Sequence, residues 1–191
     1  MPDHPKFTVV STFAGCGGSS CGYEMAGGDV ELAIEWEQNA CDTYRLNHPD
    51  TILLHQDIAT VSGQEILSRI EMQPGELDIL DGSPPCQGFS TMGKRQVEDP
   101  RNQLFKEYVR LLRGLQPRML IMENVSGMVK GKMKLIFVDI LTDLKESGYH
   151  VEVMLMNAMY YGVPQSRQRL IFVGVRNDLW RIQDAFPQPR P

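Results

Sequence analysis

Cys86 stands in the run Gly82-Ser83-Pro84-Pro85-Cys86-Gln87-Gly88-Phe89-Ser90, directly after the apolar stretch from Leu77 to Asp81. A single thiol at the end of a buried strand, set by two prolines and followed by a glycine, reads as a presented nucleophile. Each proline fixes its own φ and restricts the residue before it, so the approach of the thiol is largely preset. Read alone, the same run also suits a strand ending in a proline turn, with the cysteine as a small core hydrophobe. A second chemical signal lies near the N-terminus. Gly15, Gly17 and Gly18 follow one apolar strand and precede a helix, which lets the backbone turn tightly and approach a ligand closely. Glu35 closes the next strand, where an acid can bind the two hydroxyls of a ribose. The chain has no Gly-x-x-x-x-Gly-Lys-Ser/Thr phosphate loop, which removes the main NTPase reading. The turn and the acid suit an adenosine cofactor as well as they suit NAD.

Four short patterns, in order, carry a resemblance. Pro84-Pro85-Cys86-Gln87 resembles the catalytic motif of the cytosine-5 DNA methyltransferases, and Phe13-Ala14-Gly15-Cys16-Gly17-Gly18 resembles their cofactor motif. Glu123-Asn124-Val125 resembles their glutamate motif, and Gln165-Ser166-Arg167-Gln168-Arg169 their arginine motif. Any one is a short pattern; four in the family's order cover the chain from Phe13 to Arg169.

The resemblance implies S-adenosyl-L-methionine as cofactor. Gly15, Gly17 and Gly18 would then approach its methionine end, Glu35 would bind the ribose, and Phe13 and Trp36 would pack on the adenine. Asp57 and Ile58 would read the adenine's amino edge and Leu104 would close the pocket, with Ala14 and Pro84 completing the set. It also implies that Cys86, as thiolate, adds to carbon 6 of cytosine and makes carbon 5 electron-rich. A free thiol has a pKa of about 8.5, so nearby positive charge, such as Arg167 and Arg169, is needed to ionise it. Glu123 would contact ring nitrogen 3 with Asn124 holding its carboxyl, Arg169 would donate to oxygen 2, and Arg167 would steady the adduct. The target base must leave the duplex, so double-stranded DNA is the partner. The polar stretch from Gly88 to Arg101 suits a lid, with Gly88 and Gly93 as hinges and Lys94 and Arg95 for phosphates. Local alternatives stay open: Trp36 as a surface aromatic, Asp57 as a turn cap, Glu123 as a cap or surface carboxylate, and Arg167 with Arg169 as charges blunting a sheet edge.

The elements that must position these groups alternate between apolar and amphipathic segments, which predicts α/β repeats around a mostly parallel twisted sheet with helices on both faces. With the resemblance this becomes a Rossmann-like S-adenosylmethionine-dependent methyltransferase fold. Strands are predicted at residues 7–12, 31–35, 52–54, 77–81, 119–123, 151–156 and 170–175. Helices are predicted from Ser19 or Ser20 to Gly27, at 38–47, 64–71, 102–115 and 134–146. The last two strands are joined by too short a segment for a helical crossover, so they should run antiparallel.

The 191 residues suffice for one domain, 1–191, with a sizeable core. A net charge of −5 argues against a strongly basic nucleic-acid module, although local patches matter more than the total. No apolar run reaches the roughly 20 residues needed to span a bilayer, and Met1-Pro2-Asp3-His4-Pro5-Lys6 lacks a signal-peptide core; cytoplasmic residence, on the nucleoid in a bacterium, is the expectation. Cys16, Cys21, Cys41 and Cys86 form no Cys-x-x-Cys pair, so no metal is expected. The family's enzymes continue past the arginine motif with a target-recognition region and a final motif. Neither is found here, so recognition is expected from a C-terminal segment or a second chain. Two other functions remain open: a non-catalytic or partner-dependent fragment, and methylation of RNA cytosine.

Overall fold

The computed structural model describes residues 7–85, 100–129, 133–179 and 185–189. Five strands, β1 (Thr8–Thr12), β2 (Asp29–Glu35), β3 (Ile52–His55), β4 (Ile79–Gly82) and β5 (Met119–Val125), run parallel. They are followed by β6 (Tyr149–Asn157) and β7 (Gln168–Arg176) in one seven-stranded sheet of order β3-β2-β1-β4-β5-β7-β6. β7 inserts between β5 and β6, antiparallel to both, so β7 alone opposes the other six. The predicted antiparallel pairing of the last two strands is present.

Helices α1 (Gly18–Met25), α2 (Gln38–Asn47), α3 (Gly63–Arg69), α4 (Pro100–Leu115) and α5 (Met133–Glu146) form the crossovers. The main core joins α3, α4 and α5 to one sheet face through residues such as Val10, Leu80, Tyr108, Leu112, Leu120, Leu144 and Phe172. On the opposite face Val9, Val30 and Ile79 pack with Tyr23 of α1, and Ala33 with Tyr44 of α2. The alternation of side chains along each strand divides these two sets. α4 buries Tyr108, Leu111, Leu112 and Leu115 completely, and truncating one such leucine to alanine costs about 2–5 kcal/mol. Apolar periodicity therefore determines where α4 sits.

The strand order reverses its direction of growth at β1, which lies between β2 and β4. Ligands of open α/β sheets bind outside the carboxyl ends of the strands at such a point. The turn after β1 and the Pro84-Pro85 segment after β4 both emerge there. β4 approaches β1 and α4 so closely that a Cβ at Gly82 would lie 2.4 Å from Thr12 Oγ1 and 2.7 Å from the Tyr108 ring. The Tyr108 hydroxyl donates to the Leu80 carbonyl at 3.1 Å, and that of Thr12 donates to the Asp81 carbonyl at 2.9 Å.

Candidate active site

The turn after β1 is held by its own backbone and by two side chains from afar. Phe13 adopts φ 55°, Gly15 φ 56° and Gly17 φ 91°. A phenylalanine in the left-handed region is strained and persists only where its surroundings enforce it. Here Phe13 packs on the main core, its carbonyl accepts from the Ser83 hydroxyl at 3.4 Å, and the Ala14 amide donates to the Ile34 carbonyl at 3.1 Å. Buried Ala14 also accepts from the Gly17 amide at 3.0 Å. Gly17 faces inward: a Cβ there would lie 2.2 Å from Nε2 of His48, which is hydrogen-bonded to the Gly17 carbonyl at 3.0 Å. His48 in turn meets the Glu24 carboxylate at 2.7 Å and the Tyr44 ring at a centroid distance of 4.6 Å. At Gly15 and Gly18 no atom of the described residues lies within 4 Å of such a Cβ. These two glycines open onto space, whereas Gly17 is required by the protein's own packing.

The ends of β2 and β3 lie beside this turn. Glu35, nearly buried, accepts from three backbone amides: Gly15 at 2.8 Å, Trp36 at 2.9 Å and Glu37 at 2.8 Å. Its carboxylate thus latches the glycine turn to β2, a role additional to the predicted ribose contact. A carboxylate has about four lone-pair sites, so capacity for one more donor remains. Trp36 is 70% exposed, and its carbonyl is hydrogen-bonded to His55 Nε2 at 2.9 Å. Asp57 caps the 3₁₀ turn Ile58–Thr60 by accepting from the Ala59 amide at 2.9 Å, the local alternative weighed for it. Ile58 buries its side chain in the core, and its carbonyl accepts from Arg110 of α4 at 2.9 Å. Leu104, half-buried at the start of α4, packs on the same core.

The third group sits at the ends of β4, β5 and β7. Cys86 and most of the predicted lid, residues 86–99, lie outside the described residues. The segment leading to Cys86 is held: the buried Asn124 side chain donates to the Pro84 carbonyl at 3.1 Å and accepts from the Val125 amide at 2.8 Å. The role expected of Asn124, steadying the Glu123 carboxyl, is thereby corrected. Neighbours along a strand point to opposite faces, so Asn124 reaches across to β4 while Glu123 faces the other way. Glu123 instead meets Arg169, with Nε 2.6 Å from Oε1. Arg169 stands opposite Val125 in the β5–β7 register, which sets it diagonal to Glu123. The two side chains are 33% and 27% exposed, and such a pair is worth at most about 1 kcal/mol to the fold. Its consequence is orientation. The exposed Arg167 side chain makes no ion pair among the described residues; its amide donates to Asn157 Oδ1 at 3.0 Å. Since β6, not β7, is the edge strand, the edge-blunting alternative for the two arginines falls.

Sequence reasoning missed Asp81. This buried carboxylate faces α1, where Oδ2 accepts from Ser11 at 3.0 Å and Ser19 at 2.7 Å, and Oδ1 from Tyr23 at 3.1 Å. Burial pushes its carboxyl above the ordinary value of 3.8, with the three hydroxyls opposing. The signal was a charge between Leu80 and Gly82 in a strand buried throughout. Among the described residues no group of three or more His, Cys, Asp or Glu could hold a metal.

The model of the C-5 cytosine-specific DNA methylase family matches residues 7–191. The chain belongs to this family. Type II methyltransferase M1.HphI of Haemophilus parahaemolyticus is 40% identical over 187 residues, 96% of this chain and 49% of that relative. Type II methyltransferase M.AquIA of Picosynechococcus is 39% identical over 192 residues, 96% of this chain and 75% of the relative. Among solved structures, a prophage-encoded E. coli protein described as a DNA modification methyltransferase superposes with TM-score 0.82 at 32% identity, over 96% of this chain and 51% of that one. Spodoptera frugiperda DNMT2 superposes with TM-score 0.71 at 28% identity, over 97% and 53%. The chain therefore spans about half the length of M1.HphI and of both structures. Its sheet, with β7 reversed and helices on both faces, is the Rossmann-like methyltransferase fold.

Proposed function

We propose that residues 1–191 form the catalytic and cofactor-binding domain of an enzyme that methylates carbon 5 of cytosine in double-stranded DNA from S-adenosyl-L-methionine. One observation carries this reading. The adjacent residues Glu123 and Asn124 grip two different partners, Arg169 and the Pro84 carbonyl, at one end of the sheet. The segment entering Cys86 is thereby tied to an acid–arginine pair suited to a pyrimidine ring.

The pocket chemistry suits the cofactor. The turn opens at Gly15 and Gly18, Glu35 retains acceptor capacity beside it, and Trp36 presents an uncovered ring. When bound, the cofactor supplies an electrophilic methyl group for carbon 5. The chain's residues do the rest. Cys86 adds as thiolate to carbon 6, and the displaced electron pair moves towards nitrogen 3 and oxygen 2. Glu123 meets nitrogen 3 and Arg169 oxygen 2, exchanging their mutual pairing for the ring; Arg167 steadies the adduct. After methylation a base removes the carbon 5 proton, the carbon 5–carbon 6 double bond re-forms, and Cys86 leaves as thiolate.

Trapping tests this. A DNA oligonucleotide carrying 5-fluorocytosine, whose carbon 5 has no removable proton, should give an SDS-stable adduct that needs both cofactor and Cys86. An adduct on RNA alone would replace the DNA assignment, and persistence of the adduct in Cys86→Ser would overturn the mechanism. The chain's span of about half of M1.HphI supports a second element of the reading: target choice resides in further chain, joined to this one or separate. An adduct appearing only once such a segment is added would be the partner-dependent outcome. The reaction belongs wherever the DNA is, in a bacterium the cytoplasm. Among the described residues no helix is long and apolar enough to cross a membrane.

A further inference from the structure

The proposed chemistry leaves one buried charge unused. Asp81 is 8% exposed, and its three donors, Ser11, Ser19 and Tyr23, are neutral hydroxyls. No basic side chain pairs with it among the described residues, and burial, with a smaller contribution from Glu123, holds its carboxyl above the usual range. A buried carboxylate without an opposite charge is costly, and an apolar residue of similar volume commonly serves a fold as well or better. The position is specific. Asp81 lies opposite Ser11 in the β1–β4 register, one residue before the Gly82–Thr12 pair. Through Ser19 it is tied to the first turn of α1, which the glycine turn enters directly.

We propose that Asp81 is the counter-charge for the sulfonium of the methyl donor, so that this turn prefers the cationic donor to its neutral demethylated product, S-adenosylhomocysteine. The inference rests on the cofactor reading above. Donor and product share adenine, ribose, ammonium and carboxylate; they differ by one methyl group and one positive charge on sulfur. The groups assigned to the adenosine part, Glu35, Trp36 and Asp57, meet only what the two share and cannot separate them. Asp81 acts through its field, which reaches beyond contact in a low-dielectric interior. Once the methyl group has left, the attraction falls, and product release is favoured by the same charge that helped bind the donor. Asp81 is in this sense a specificity-determining residue that touches neither cytosine nor DNA.

The test is the ratio of two dissociation constants, measured by calorimetry for S-adenosylmethionine and S-adenosylhomocysteine. Asp81→Asn keeps the shape and removes the charge. It should weaken donor binding about tenfold and leave product binding within about twofold. Equal losses for both ligands, or no loss for either, would overturn the inference, because a merely structural role moves both alike. Should the variant fail to fold, the otherwise native protein carries the test across about pH 4 to 9. The titratable groups that feel Asp81 are Tyr23 of α1, Tyr44 of α2, Tyr108 of α4 and Glu123 of β5. All three tyrosines are pushed up by burial and stay neutral, and a Glu123→Gln background removes the fourth group. The raised carboxyl loses its proton as pH rises, so preference for the donor should grow with pH; a flat ratio would overturn the inference. If the unsubstituted chain binds neither ligand, the cofactor reading fails and takes this inference with it.

Discussion

The two ends of this site are built differently. On the proposed cofactor side, beyond β1 and β2, Glu35, His48 and Asp81 are each met by the protein itself. Glu35 takes three backbone amides, His48 braces Gly17, and Asp81 takes three hydroxyls. On the proposed reaction side, beyond β4, β5 and β7, Glu123 and Arg169 hold each other in partial solvent, and Arg167 has no ionic partner among the described residues. A binding surface that must receive one invariant small molecule gains from being preorganised. A surface that must take a base out of a duplex needs groups that can change partners at modest cost, and a screened pair worth about 1 kcal/mol or less meets that need. Substitutions on the first side should therefore act on folding or cofactor affinity, whereas those on the second should slow the chemistry and leave cofactor affinity in place.

The largest effect should come from Cys86→Ser. Adduct formation and turnover should fall by on the order of 10⁴-fold or more, with cofactor affinity within about twofold; a shared collapse of both would erase the distinction between the two sides. Asn124→Ala leaves the buried Pro84 carbonyl without this donor. It should cost about 1–3 kcal/mol in urea denaturation and slow single-turnover trapping about a hundredfold, the penalty for a misplaced reacting group. Next comes a contrast within the glycine turn. Gly17→Ala combines φ 91° with a clash on His48 and should lower stability by about 1–3 kcal/mol. Gly18→Ala points into open space and should stay within about 0.5 kcal/mol in the fold, so any loss of cofactor affinity there measures the ligand's own approach. The smallest change in stability should come from Glu123→Gln, at most about 1 kcal/mol. Its trapping rate should nonetheless drop sharply, and an unaffected rate would remove Glu123 from the chemistry.

All seven strands and five helices were legible in the sequence, with β and α boundaries displaced by only one or two residues, because strand length, apolar runs and Gly or Pro stops are local signals. That Glu123 and Arg169 serve one site was implied by the resemblance in their motifs, but their ion pair with each other was not read and comes from the β5–β7 register. Asp81 was read only as the end of a strand. Its partners lie 70, 62 and 58 residues earlier, and nothing local announces a register across such a separation. Asn124 failed for a different reason: the two-residue period of a strand already sets it on the face opposite Glu123. The left-handed Phe13 had no sequence signal, since its conformation is imposed by the core beneath it and the Ser83 contact above.

Gly82 carries a consequence for how such a protein can vary. It has no part in the proposed chemistry, yet Thr12 and the Tyr108 ring leave no room for even one added carbon. Any side chain here would wedge the middle of the sheet apart, shifting the glycine turn on one flank and the proline segment on the other in a single stroke. Saturation mutagenesis should find this position as intolerant as the proposed nucleophile Cys86, a frozen site produced by geometry rather than by reactivity.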